Sequence, residues 1–85
     1  MKPTKLRPHV GQIVRLDWWD AVGSDDWQSE QEAIATPLSR ITSVGHVLAV
    51  LDDRVVLAAD RDEGGNVNGV SVVPCGWVTS CERLG

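Results

Sequence analysis

Eighty-five residues with no composition shift read as one domain, which buries only about 60% of the surface its unfolded chain exposes. Hydrophobic content of 42% and charged content of 24% exclude a disordered chain, and no apolar run reaches membrane-spanning length. A formal charge of −4 argues against nucleic-acid binding, which depends on phosphate neutralisation by Lys and Arg.

Residues 1–9 read as a flexible tail ahead of a single small domain over residues 10–85. The tail carries Lys2, Lys5 and Arg7, and no hydrophobic segment follows them, so no secretion signal is expected and the chain reads as cytoplasmic. Residues 13–18 then alternate with period two. Val14, Leu16 and Trp18 share one face; Arg15, Asp17 and Trp19 share the other.

From Asp20 to Pro37 the pattern breaks. Gly23-Ser24-Asp25-Asp26 is turn chemistry, and Ser24 or Asp25 is expected to cap a short helix over residues 27–33. Ser29 with Glu32 also has capping-box spacing. Pro37 ends anything helical by Thr36. The stretch is a long excursion, and loops of this length in compact domains are often functional.

The remainder reads as β. Residues 41–51 form a strand with a bulge or bend at Gly45, and Leu51-Asp52-Asp53-Arg54 turns into a strand over 54–60. A polar, flexible loop over 61–69 leads to a strand at 70–73. Pro74-Cys75-Gly76 is a turn, and residues 77–84 form the last strand. Five short antiparallel strands with a long first loop predict an all-β, SH3-like barrel, with an OB-like barrel as the competitor. Val73-Pro74-Cys75-Gly76-Trp77-Val78 looks like the Pro-x-x-aromatic-Val turn that ends many SH3 domains.

Cys75 and Cys81 read as reduced thiols, since an extended strand would set them roughly 20 Å apart. Their spacing is not that of a zinc or redox site, and His9 and His46 lie far off in sequence, so no metal and no cofactor is expected. His46 reads as a structural strand residue. Nothing supplies a triad, and Gly64-Gly65-Asn66 lacks the Lys of a phosphate-cradling loop, so no catalysis is expected.

One pattern covers nearly the whole chain: Gly11-x-Ile13-Val14-x-Leu16-x-Trp18-x-Asp20, Trp27, Ser43-Val44-Gly45-x-Val47, Asp52-Asp53, Val56-Leu57-Ala58 and Val73-Pro74-x-Gly76-Trp77-Val78. It resembles a family of short, mostly uncharacterised proteins encoded by tailed bacteriophages and prophages. The resemblance implies a phage accessory protein with a small β-barrel, acting in the bacterial host; it implies no particular activity. The chain departs from that family at Asp26, where Gly often precedes the second Trp.

The candidate site is the tryptophan-rich excursion. There is no Phe or Tyr, and three of the four Trp, namely Trp18, Trp19 and Trp27, fall within ten residues of one another among acidic side chains. Trp provides a large rigid contact area at low entropic cost, which suits recognition. Trp18 is expected on the core side and Trp19 outward; Trp27 staples the excursion or walls a pocket; Trp77 is core or groove. Asp20 is either an Asx turn or a ligand acceptor.

Two functions follow. In the first, a groove of Trp19, Trp27 and Trp77 flanked by acidic residues takes an extended basic or Pro-containing segment of a protein partner, host or phage. In the second, Trp18 or Trp19 with Asp20, Ser24 and Trp27 stacks on a nucleotide-like small molecule, such as a host defence signal. Self-association is consistent with either.

Overall fold

The computed structural model describes residues 8–21, 23 and 25–85. The strands β1 (Ile13–Asp20), β2 (Ser39–Val50), β3 (Arg54–Arg61), β4 (Val67–Pro74) and β5 (Val78–Leu84) form one antiparallel sheet in the order β4-β3-β2-β1-β5. A six-residue helix, α1 (Glu30–Ala35), lies between β1 and β2, and a 3-10 turn (Cys75–Trp77) joins β4 to β5.

The alternation in β1 sends Val14 and Leu16 to the inner face, both fully buried. Val47 of β2, Val55 and Leu57 of β3, Val73 of β4, and Cys75, Val78 and Cys81 join them in one cluster, with Trp18 packed at its border. Each fully buried Val or Leu contributes about 1.5–3 kcal/mol.

A single sheet that buries one face without a second layer has to curl, and three local features bend this one. Val47 pairs with Leu57 and Ala49 with Val56, so Leu48 is an extra residue in β2. Asp17 pairs with Ser80 but Trp18 with Val78, so Thr79 is an extra residue in β5. At Gly45 β2 passes so close to β3 that a Cβ would lie 2.7 Å from the Ala58 carbonyl oxygen. The bend expected at Gly45 is therefore a close crossing, and the bulge sits three residues later.

Closure into a barrel is not reached. β4 and β5 are the two edges of the sheet, with no ladder between them. The 3-10 turn is tied to the turn between β2 and β3: the Cys75 N–H donates to the Asp53 carbonyl at 2.9 Å, and its Sγ lies 3.6 Å from the Leu51 carbonyl.

Most boundaries differ from expectation by one or two residues, and two by three. The helix begins at Glu30, because the Ser29 hydroxyl accepts the Glu32 N–H at 3.1 Å; neither Ser24 nor Asp25 caps it. Strand β4 begins at Val67 because the preceding loop closes on itself. Asp62 accepts the Asn66 backbone N–H at 2.8 Å and its side-chain amide at 3.2 Å, and Gly65 turns with φ +85. Those hydrogen bonds hold the Asp62 carboxyl below its ordinary pKa. Of the expected tail, residues 1–7 lie outside the described residues; Pro8 is buried, and the His9 carbonyl closes a turn on the Gln12 N–H.

Asp20 pairs with Ser39 at the base of the excursion. Between them, every described residue from 21 to 38 is exposed, α1 included. No helix among the described residues is long and apolar enough to cross a membrane.

Candidate functional site

At the Asp20 end of β1 an open groove of about 380 Å³ is lined by Trp19, Asp20, Ala21, Leu38, Gly76, Trp77, Val78 and Thr79. It draws on the end of β1, the residue entering β2, the 3-10 turn and the start of β5. Trp19 is 41% exposed and Trp77 43%, so each indole is half held by the protein and half available. Among the described residues, the only charged group in the lining is Asp20.

Trp19 reaches the groove because it follows Trp18 by one residue in an extended strand and so faces the opposite way. Its cross-strand neighbour Arg40 sits over the ring, with the guanidinium carbon 5.9 Å from the centroid, a cation–π contact that steadies the indole. Trp77 ends the 3-10 turn, two residues ahead of the bulge at Thr79. The Thr79 hydroxyl donates to the Asp17 carbonyl at 3.1 Å and ties that bulge to β1.

Behind the groove, on the same face as Trp19, lies a charge that sequence reasoning missed. Asp17 is only 8% exposed. Its Oδ1 accepts from Thr42 on β2 at 2.6 Å and its Oδ2 from Ser80 on β5 at 2.8 Å, so one carboxylate bridges three strands. Arg15, 3.7 Å away and itself paired with Glu82 at 3.1 Å, adds positive charge. The Thr42 and Ser80 hydrogen bonds, with smaller help from Arg15 and Arg40, hold the carboxyl below its ordinary pKa against the opposing effect of burial. The network anchors the sheet beneath the groove and offers no open coordination site.

Of the expected site residues, Trp19, Asp20 and Trp77 come together. Trp18 is set apart: its Nε1 donates to the Ser43 hydroxyl at 3.1 Å while the ring packs on the core. Trp27 is fully exposed and does not line the groove, so it neither staples the excursion nor walls this pocket. Ser24 lies outside the described residues. Leu38, Gly76 and Thr79 were not foreseen; the position of Leu38, immediately after a loop-ending proline, was the only signal for it.

Among the described residues no group of His, Cys, Asp and Glu is arranged to hold a metal. Cys75 and Cys81 are both free and buried, and burial pushes the Cys81 thiol pKa up. No protein-family model matches this chain, and neither the curated proteins nor the solved structures contain a match to it.

Proposed function

We propose that this is a non-enzymatic binding module of phage-accessory type whose groove holds an extended segment of a protein partner in the host cytoplasm. The observation that carries the reading is the pairing of two half-exposed indoles, Trp19 and Trp77, around a groove whose single charge among the described residues is Asp20. Aromatic walls bind proline rings and aliphatic side chains of an extended peptide, and a carboxylate at the rim selects a basic residue beside them. The strand order and the 3-10 turn before the last strand are consistent with an SH3-like arrangement, in which such a groove is familiar.

A nucleotide-like ligand suits the groove less well. Stacking surfaces are present, but among the described residues no Lys or Arg lines the space to meet a phosphate, and Arg40 is engaged on Trp19. Tryptophan fluorescence separates the two. Proline-containing basic peptides are expected to shift and quench the emission with saturation, and Trp77→Ala is expected to abolish the response. Saturable quenching by nucleotides, with none by the peptides, would replace this reading with the second.

A further inference from the structure

The charges of this chain are segregated. Lys2, Lys5 and Arg7 are three of its eight basic residues, and no Asp or Glu lies among residues 1–7, so residues 8–85 carry five basic residues against all twelve acidic ones. The same short segment supplies Pro3 and Leu6. It therefore has the composition the groove selects: cationic, proline-containing and partly apolar. The groove for its part presents Asp20 at the rim, with the exposed acidic residues Asp25, Glu30 and Glu32 on the adjoining excursion.

Pro8 and the turn over residues 9–12 lie at the Ile13 end of β1, whereas the groove lies at the Asp20 end. The eight residues of β1 cover about 24 Å at roughly 3.4 Å per residue. Head-to-tail contact with a second copy brings the Ile13 end of one sheet to the groove of the other.

We propose, resting on the groove reading above, that residues 1–7 of one copy dock in the Trp19–Trp77 groove of another, with Lys or Arg on Asp20 and Pro3 or Leu6 between the indoles. The contact is heterologous, head to tail: each copy offers one segment and one groove, so assembly proceeds to short chains or a ring. Because the charges are exposed, it weakens as salt rises.

Sedimentation equilibrium on the full chain tests this. The wild-type average mass is expected to climb with concentration at low salt and to fall toward the monomer in 0.5 M NaCl. A tail-reversed chain, Lys2→Glu with Lys5→Glu and Arg7→Glu, keeps a groove but no donor; Asp20→Lys keeps a donor but a spoiled groove. Each alone stays monomeric, while their mixture forms a one-to-one heterodimer that stops growing. Trp77→Ala serves as a second groove variant should Asp20→Lys disturb the fold. A wild-type chain monomeric at every concentration, self-association of the tail-reversed chain at wild-type strength, or no heterodimer on mixing overturns the proposal. Should one of those results overturn the proposal, quenching of the tail-reversed chain by an unrelated proline-containing basic peptide leaves the groove reading standing, and no quenching removes that reading as well.

Discussion

Thr42 donates to Asp17 at 2.6 Å straight across the β1–β2 ladder, and this hydrogen bond is the leading reason the Asp17 carboxyl titrates below its ordinary value of 3.8. A depressed folded-state pKa stabilises the native form fully above the unfolded value, and the contribution disappears as pH falls through the folded one. Unfolding stability is therefore expected to drop on acidification below about pH 4. Asp17→Asn should flatten that acid limb, and Thr42→Val should cost about 1.5–3 kcal/mol at pH 7 in urea unfolding, as expected for a hydrogen bond to a charged group. An acid limb unchanged by Asp17→Asn would assign the titration elsewhere.

Gly45→Ala tests the crossing of β2 over β3. Its backbone φ lies outside the left-handed region, so the cost arises from contact alone: the new methyl would meet the Ala58 carbonyl oxygen at 2.7 Å and the Leu57 Cβ at 3.3 Å. Both belong to a paired strand with little room to retreat. Destabilisation of about 1–3 kcal/mol is expected from overpacking. A variant as stable as the parent would show that the two strands separate easily.

The four tryptophans should divide by consequence. Trp27→Ala is expected to alter stability by less than about 0.5 kcal/mol, because the side chain is fully exposed. Trp18→Ala removes the ring packed on the core together with its Ser43 hydrogen bond, and should cost about 3 kcal/mol. Thermal melts of the two variants decide it; equal losses would contradict the arrangement described.

Thiol reactivity provides a fourth check. Cys75 and Cys81 are both buried, and burial raises the Cys81 pKa, which keeps its reactive thiolate scarce. Ellman's reagent at pH 8 is expected to titrate neither thiol promptly in the native protein and both at once in 6 M urea. Fast native labelling of either would indicate that the edges between β4 and β5 open readily.

The period-two pattern in β1, the hairpin at Asp52-Asp53 and the number of strands were legible in the sequence because each depends on near neighbours. The burial of Asp17 was not. Its partners Thr42 and Ser80 stand 25 and 63 residues away and become neighbours only when β1 is flanked by β2 and β5. Trp19 and Trp77 were each identified as candidates, but they stand far apart in the sequence and share a groove only once β5 pairs with β1. The helix start was misplaced because Ser24, Asp25 and Ser29 are all cap-competent residue types, and it is the Ser29 hydroxyl that accepts the Glu32 N–H. Closure of the sheet was over-expected, since strand order alone does not bring two edges within ladder distance.

The pairing of Asp20 with Ser39 has an evolutionary and practical consequence. The stalk between them hangs from a closed ladder step, so a protease cut there would leave β1 clasped noncovalently on both sides by β2 and β5. Such a nicked molecule should still co-migrate as one species and melt as one. New residues spliced into that stalk would be displayed to the solvent without taxing the sheet, which makes it the natural place for related chains to diverge.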